Sequence, residues 1–200
     1  MKPFSEFVPY RKRPLCFCDV ETTGNQPGYH EITEIAFIHD KKGSLCLQIA
    51  PQHLDRADPE ALRVSNFNTS DWADAPEFKA VASRIADFLE GVTIIGHNFV
   101  GYDAPMIRGN FDMVGLGHDH LFRDIIDTQM LARLFLVPIG LNRLSMEACR
   151  KFFNRSYDGA HGAYDDAIFA KELYFDIMNN LKWHGKKEGK RIQEVMFEIE

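Results

Sequence analysis

The chain has few cysteines, and their spacing fits neither a disulfide framework nor a zinc site. The four are Cys16, Cys18, Cys46 and Cys149 in 200 residues. None forms the pair with two intervening residues that is typical of structural zinc sites. We therefore expect four reduced thiols buried in the core.

Long hydrophobic runs are absent as well. No apolar run approaches the ~20 residues that a membrane-spanning helix needs. The first residues, Met1 to Phe7, lack the apolar stretch of a signal peptide. From these two absences we expect a cytoplasmic protein that has no membrane partner.

An excess of positive charge is also missing. Lys and Arg number 23 against 29 Asp and Glu, so the formal net charge is -6. This argues against a protein that coats nucleic acid by bulk electrostatics, although it allows an enzyme that grips a few nucleotides through metal ions. Only the ends are locally basic. We expect a basic lead-in over residues 1–12, one domain over 13–182 and a charged tail over 183–200.

The order of the predicted elements is typical of an α/β fold. A continuous apolar run predicts a buried strand over 15–21. Two patterned segments around a Gly-containing turn predict an antiparallel hairpin over 31–39 and 44–49. Strands and helices then alternate, which indicates a mixed five-stranded sheet flanked by helices. The remaining strands are predicted at 92–95 and 122–126, and helices at 59–64, 78–89, 102–114, 128–135, 141–153 and 163–181.

Two carboxylates leave the first predicted strand on the same side. Asp19 and Glu21 are two residues apart, so their side chains share one face of the strand. Buried together they would repel each other and would need a cation or protons. A pair of surface acids at the end of a strand is the plain alternative. Thr22-Thr23-Gly24 then ends the strand, and glycine allows the backbone to turn there.

Two later segments carry further acids. Asp103 is predicted at the start of a helix, where an acid also simply favours the helix dipole. Asp166 lies ~60° from the centre of the apolar face of the last helix, at about 100° per residue, which predicts the edge of its buried side. Its neighbour Asp165 lies farther round and should be more solvated. His161 precedes this helix in a Gly-flanked loop, where a lone histidine is otherwise structural or exposed.

These segments together resemble the three exonuclease motifs of the DEDDh family, within the RNase H-like superfamily. The resemblance extends from about residue 15 to 181, nearly the whole chain. Its histidine in the third motif is typical of the h branch. One departure is a spacing of three residues between Asn98 and Tyr102, where many members have two. The motifs read Asp19-x-Glu21-Thr-Thr-Gly, then His97-Asn98 with Tyr102-Asp103, then His161-x-Ala163-x-x-Asp166.

The resemblance implies phosphodiester hydrolysis by two divalent ions ~3.5–4 Å apart. Hard ions such as Mg²⁺ and Mn²⁺ take oxygen ligands, which explains the carboxylates. Asp19 is expected to bridge both ions, Glu21 and Asp166 to complete one site, and Asp103 to act through water or at the second. His161 is expected to deprotonate or orient the attacking water.

For the substrate, the resemblance implies 3′→5′ release of nucleoside 5′-monophosphates from single-stranded or frayed DNA. Thr22 and Thr23 are expected to hold the terminal nucleotide through their backbone, with Asn98 and Tyr102 as further substrate-binding residues. The implied partners are a nucleic-acid 3′ end and a polymerase or another replication or repair protein. The aromatic residues Phe99, Tyr102 and Tyr164 are candidates to stack on bases, or else members of the core.

Three alternatives remain open from the sequence. The first is an exoribonuclease that acts on short RNA. The second is a catalytically inactive, nucleic-acid-binding subunit of the same fold, which loss of any catalytic acid or of His161 would favour, and all are present. The third is a metal site at Gly117-His118-Asp119-His120, but two histidines without further obvious ligands more often belong to solvated surface.

Overall fold

A computed structural model describes residues 13–155 and 162–187. The predicted lead-in over 1–12, His161 and the tail beyond 187 lie outside the described residues. No described helix is both long enough and apolar enough to cross a membrane. The strands are β1 (Leu15–Thr22), β2 (Ile32–His39), β3 (Gly43–Gln48), β4 (Thr93–Gly96) and β5 (Ile125–Asp127), and the helices are α1 (Pro59–Val64), α2 (Phe78–Leu89), α3 (Asp103–Met113), α4 (Thr128–Phe135), α5 (Met146–Phe152) and α6 (Ala163–Lys187).

The five strands form one mixed sheet in the order β3-β2-β1-β4-β5. β1 is its centre, antiparallel to β2 and parallel to β4. The antiparallel β2–β3 hairpin and the mixed sheet confirm the predicted arrangement. The ladder between β1 and β4 joins residues 15–17 with 93–95, so it ends at the pair Phe17 and Ile95. Beyond that pair β1 continues without β4 beside it, and the acids lie on this extension.

The two faces of β1 bury different partners. Cys16, Cys18 and Val20 pack with apolar residues of α2 and α3 in the largest cluster. Phe17, on the opposite face, packs against Ala163 and Ala167 of α6. Small alanines let α6 lie close to the sheet, and each large apolar side chain buried here contributes ~1.5–3 kcal/mol. Because side chains alternate along a strand, the acids after Phe17 face α6.

A third cluster joins α4, α5 and α6 beside the sheet. Phe169, Leu173 and Ile177 of α6 pack on Leu136 and Cys149 in this cluster. The helix therefore carries an acid near its start and closes a hydrophobic core with its middle. It also continues to Lys187, past the predicted boundary of the tail at residue 182.

Four sequence expectations differ from the structure. The fifth strand begins at Ile125, because Phe122 fills the core outside the sheet. Helix α5 begins at Met146 with Ser145 as its N-cap, rather than at residue 141. The strands and helices otherwise match within a few residues, except that the last helix is longer. Cys46 is exposed, contrary to the expectation for all four thiols, while Cys16, Cys18 and Cys149 are buried and all four are free.

The loop between β1 and β2 is fastened to α3. Asn110, which is 1% exposed, accepts the N–H of Ile32 at 3.1 Å and donates to the carbonyl of His30 at 3.3 Å. Its neighbour in the chain, Gly109, approaches the loop so closely that a Cβ atom there would lie 2.3 Å from the backbone nitrogen of Gly28. The absence of a side chain at Gly109 therefore allows this contact.

Candidate active site

Three carboxylates converge where β1 ends. Asp19, Glu21 and Asp166 each offer an oxygen atom, and these atoms lie within 4.8 Å of one another. Asp19 and Glu21 share the face of β1 that faces α6, and Asp166 comes from the first turn of that helix. Asp166 is half-buried and Asp165 is exposed, as the helical spacing predicts. This cluster is the only group of three or more such ligands within the described part of the chain.

Asp103 lies beside this cluster and contacts β1 directly. Its carboxylate is 2% exposed, and its Oδ1 accepts the backbone N–H of Val20 at 3.1 Å. The ladder to β4 has ended at Phe17, so the carboxylate takes the place of a neighbouring strand. Asp103 does not share the three-acid cluster. Its expected action through water or at a second ion stays a prediction.

Burial and mutual repulsion oppose ionisation of these acids. Burial raises the pKa of Asp19 well above its usual range, and the charges of Asp103, Asp166 and Glu21 raise it further. Burial, with repulsion from Asp166 and Glu34, raises the pKa of Glu21 to about 7. The pKa of Asp103 is also raised by burial, although its bond from Val20 opposes the shift. The group favours either protons or a compensating cation.

The donor set fits a hard divalent cation. The three clustered side chains offer only carboxylate oxygens, the ligands that Mg²⁺ and Mn²⁺ prefer. The sulfur atoms of Cys16 and Cys18 belong to the opposite face of β1. The cluster can therefore hold the predicted type of ion, and its electrostatics provide a reason to do so.

Glu34 adds a fifth acid to this region. It lies opposite Glu21 in the β1–β2 ladder, and its charge contributes to the raised pKa of both Asp19 and Glu21. Its Oε1 accepts a hydrogen bond from the Sγ of Cys46 at 3.4 Å. The sequence alone gives no sign of this proximity, because it depends on the register between two strands.

A cleft of about 230 Å³ opens next to Glu21. Thr22, whose hydroxyl donates to the carbonyl of Gly24 at 2.7 Å, lies in one wall. The half-buried Tyr102 joins it through a 2.7 Å bond between the two hydroxyl oxygens. The cleft is lined by Thr22, Gly24 and Tyr102 on one side and by Asp58, Ala61 and Val64 on the other.

Thr23 is an internal part of the fold. It is 1% exposed, and its backbone N–H donates to the carbonyl of Glu31 at 2.8 Å. Its own carbonyl accepts the N–H of Asp58 at 2.7 Å, and its hydroxyl accepts the N–H of Glu31 at 2.9 Å. Thr23 therefore links β1 to the segment that carries α1, and both of its backbone polar groups are engaged.

Asn98 forms a turn within the loop between β4 and α3. Its backbone has a φ of 60° and its N–H donates to Oδ1 of Asp127 at 3.1 Å. Its carbonyl accepts from the N–H groups of Gly101 and Tyr102, which accommodates the three intervening residues. The Asn98 side chain lies against Gly101 and is not among the residues that line the cleft. Its role in substrate binding stays a prediction.

The aromatic candidates separate clearly. Phe99 is fully buried in the core, Tyr102 lines the cleft, and Tyr164 is 38% exposed. Phe99 is therefore a core residue and not a stacking platform. The sequence could not separate these three, because aromatic residues serve in both places.

The described histidines near the motifs are structural. His97 is buried, with its Nε2 2.7 Å from the carbonyl of Leu144 and its Nδ1 3.1 Å from Oγ1 of Thr128. His118 bonds to Oδ1 of Asp112 at 2.9 Å and packs on Phe122. The alternative metal site at residues 117–120 gains no third ligand among the described residues. The predicted catalytic His161 lies outside them.

Comparison with known proteins gives consistent matches. The model of the exonuclease family RNase_T matches residues 16–174. The chain is 25% identical over 173 residues to the DNA polymerase III subunit epsilon of Treponema pallidum, covering 86% of this chain and 78% of that protein. It is 28% identical over 210 residues to the PolC-type DNA polymerase III of Halalkalibacterium halodurans, covering 94% of this chain but 13% of that protein.

Among solved structures, the fold matches E. coli Exonuclease I in complex with a dT13 oligonucleotide. The TM-score is 0.68 with 19% identity, over 84% of this chain and 41% of that one. This likeness confirms the predicted RNase H-like sheet with flanking helices. The chain spans less than half the length of that enzyme.

Proposed function

Because the chain belongs to the exonuclease family, as a DEDDh-type member, we propose that it removes nucleotides from the 3′ end of single-stranded or frayed DNA. The products are nucleoside 5′-monophosphates. The observation that carries the proposal is the convergence of Asp19, Glu21 and Asp166 within 4.8 Å, with Asp103 buried beside them. Acids that only formed part of the solvated surface would not be partly or fully buried together in this way.

We assign the acids to the binding of two ions, Mg²⁺ or Mn²⁺. Asp19 would be the shared ligand, since the charges of the clustered acids and of Asp103 all act on its carboxyl group and raise its pKa. Glu21 and Asp166 would complete one site, and Asp103 would serve the other, directly or through water. Ions held there would activate a water molecule and offset charge on the scissile phosphate. His161, which precedes α6 in the sequence, would take the proton of that water or orient it.

The cleft beside Glu21 is the proposed site of the terminal nucleotide. Its volume of about 230 Å³ suits a single unpaired nucleotide better than a base pair. Thr22 and Tyr102 contact the nucleotide from one wall, and Val64, which is 41% exposed, offers an apolar surface on the other. Thr23 supports the site indirectly, because its carbonyl accepts the backbone N–H of Asp58.

DNA is favoured over RNA as the substrate by the relatives. The epsilon subunit and PolC are named as DNA polymerase III proteins, and Exonuclease I is recorded with dT13. The same names favour a replication polymerase as a protein partner of this chain. An exoribonuclease acting on short RNA is the competing outcome of the test below.

The test is digestion of matched 5′-end-labelled DNA and RNA oligomers in Mg²⁺ or Mn²⁺. We expect a ladder of DNA products that shortens from the 3′ end, no cutting of circular single strands, and no activity in excess chelator. If the RNA oligomer is degraded faster than the DNA oligomer, RNA replaces DNA as the proposed substrate class. Cutting of circles, or full activity in chelator, would reject the proposal.

Two neighbouring residues provide matched variants. Asp166→Asn removes a clustered acid, whereas Asp165→Asn makes the same change at an exposed position one residue away. Asp166→Asn should lose at least about 10²-fold in turnover, as expected when a metal ligand is removed. Asp165→Asn should stay near wild type. Equal loss in both variants would contradict the assignment.

A further inference from the structure

Two separate chain segments form the walls of the cleft. Gly24 belongs to the turn after β1, whereas Asp58 and Ala61 belong to the start of α1. The walls are therefore far apart in sequence, and their spacing depends on the bonds that join them. One such bond runs from the N–H of Asp58 to the carbonyl of Thr23, at 2.7 Å.

His30 makes the second connection. Its Nδ1 accepts the backbone N–H of Gln26 at 3.0 Å, and its Nε2 lies 3.1 Å from the carbonyl of Arg56. Because the amide can only donate and the carbonyl can only accept, the imidazole is neutral with its proton on Nε2. Both nitrogens are thus used, one on the Gly24 side and one on the α1 side.

The ring also packs on the turn itself. A Cβ atom at Gly24 would lie 2.6 Å from the His30 ring, so the imidazole fills the space that glycine leaves. His30 is 9% exposed, and its carbonyl is held by Asn110 of α3. The residue is therefore anchored to α3 through its backbone, and its ring does not line the cleft.

We propose that His30 is a positioning residue, which sets the distance between the two walls of the cleft and thereby the affinity for the terminal nucleotide. The inference rests on the proposed function only for the identity of the ligand. The carboxylates would hold the ions that bind the reacting phosphate, and they lie outside the contacts of His30, so loosening the cleft should weaken substrate binding and leave the chemical step almost intact. A change in KM with little change in kcat is the signature.

His39 offers a matched control at the other end of β2. It is 4% exposed, and its Nδ1 also accepts backbone N–H groups, those of Lys41 and Lys42, in the turn before β3. His30→Phe and His39→Phe therefore each remove an imidazole Nδ1 that accepts backbone N–H, the first in the loop before β2 and the second at the end of β2. A general loss of stability should affect both variants alike.

The experiment measures kcat and KM for a single-stranded oligonucleotide in Mn²⁺. We expect His30→Phe to raise KM roughly tenfold, which corresponds to the loss of one or two hydrogen bonds, with kcat within about threefold of wild type. His39→Phe should change neither. Equal KM values in the two variants, or a fall in kcat at unchanged KM, would overturn the inference.

Amide hydrogen exchange at Asp58 gives a readout that needs no cleavage. This N–H bonds to Thr23 and not to His30, so faster exchange there reports the wall itself. We expect roughly tenfold faster exchange in His30→Phe and no change in His39→Phe. Unchanged exchange would refute the role of His30, whatever the substrate. Wild-type cleavage, by contrast, tests the proposed function.

His30→Gln serves as the conservative variant and also covers poor folding of the phenylalanine variant. Its side chain keeps one acceptor and one donor, so it should restore KM to within about threefold of wild type. If this variant folds but binds as weakly as His30→Phe, the hydrogen bonds do not set the cleft and the inference fails.

Discussion

The phenol oxygen of Tyr102 lies 2.7 Å from the hydroxyl oxygen of Thr22, across 80 residues of sequence. The Thr22 hydroxyl has one proton, which it gives to the carbonyl of Gly24 at 2.7 Å. Tyr102 is therefore the donor in the bond between the two side chains. This bond joins the end of β1 to the start of α3 at the edge of the cleft.

Tyr102→Phe tests the value of that bond. The ring stays but the donor is lost, and a hydrogen bond of this kind is worth about 0.5–1.5 kcal/mol. We expect KM to rise by roughly two- to tenfold with a near-normal kcat, measured on a single-stranded oligonucleotide. A large fall in kcat would instead indicate that the phenol takes part in the reaction.

Asp103 combines a structural bond with a proposed role in metal binding, and two variants separate them. Asp103→Asn keeps an oxygen that can accept the N–H of Val20, while Asp103→Leu leaves that buried N–H unpaired. We expect both to lose activity. In metal-free urea unfolding, the leucine variant should be less stable than the asparagine variant by about 1–3 kcal/mol. Equal stability would show that the bond contributes little.

The raised pKa of Glu21 predicts how stability depends on pH without metal. The pKa rises from 4.5 to about 7 on folding, so the folded state binds the proton more tightly than the unfolded chain. The associated stability is present below pH 4.5 and is lost as the pH rises through about 7. The free energy of unfolding should fall by on the order of 3 kcal/mol from this group.

Glu21→Gln is the matched control for this pH effect. In chelator, the variant should gain stability relative to wild type as the pH increases, because its amide does not titrate. Added Mn²⁺ should restore the stability of wild type at pH 8 more than that of the variant, since the ion binds the folded carboxylates. A pH-independent difference between the two proteins would show that Glu21 titrates normally.

His161→Ala tests the general base. We expect turnover to fall roughly 10²- to 10⁴-fold, the usual range for a positioned acid–base group. Binding of Mn²⁺, followed by calorimetry, should change little because the carboxylates remain. His120→Ala, at an exposed position, is the control and should keep full activity. Near-normal turnover of His161→Ala at saturating ion would leave the mechanism without its base.

Gly109→Ala tests the contact between α3 and the loop after β1. A helical alanine normally gains up to about 1 kcal/mol over glycine. Here the new Cβ would meet the backbone nitrogen of Gly28 at 2.3 Å, and such overpacking costs ~1–3 kcal/mol. The variant should therefore unfold at lower urea. Gly117→Ala, which meets open space, should not, and equal midpoints would indicate that the loop yields freely.

Local periodicity predicted the parts of the site that depend on one element. Alternation along β1 placed Asp19 and Glu21 on one face, and helical spacing placed Asp166 at the edge of the buried side of α6. It could not place Glu34 or His30. Their positions depend on strand register and on a long loop contact, neither of which leaves a periodic signal.

The same limit explains the errors in element boundaries. Leu141 and Leu144 continue the apolar spacing of α5, so the sequence predicts a longer helix. In the structure Leu141 fills the core from an irregular segment, and the carbonyl of Leu144 bonds to His97. Phe122 likewise gives its side chain to the core without joining the sheet. Apolar spacing records burial, and burial does not require a regular element.

The bond from Val20 to Asp103 gives the protein a spectroscopic probe of its own. An amide whose acceptor is a carboxylate should change its nitrogen and proton chemical shifts when that carboxylate gains a proton or a cation. Val20 contributes no side chain to the acid cluster. Its amide signal can therefore be followed in variants of every acid of the site except Asp103, which is its acceptor. A single backbone resonance could thus report ion occupancy and protonation without any substrate.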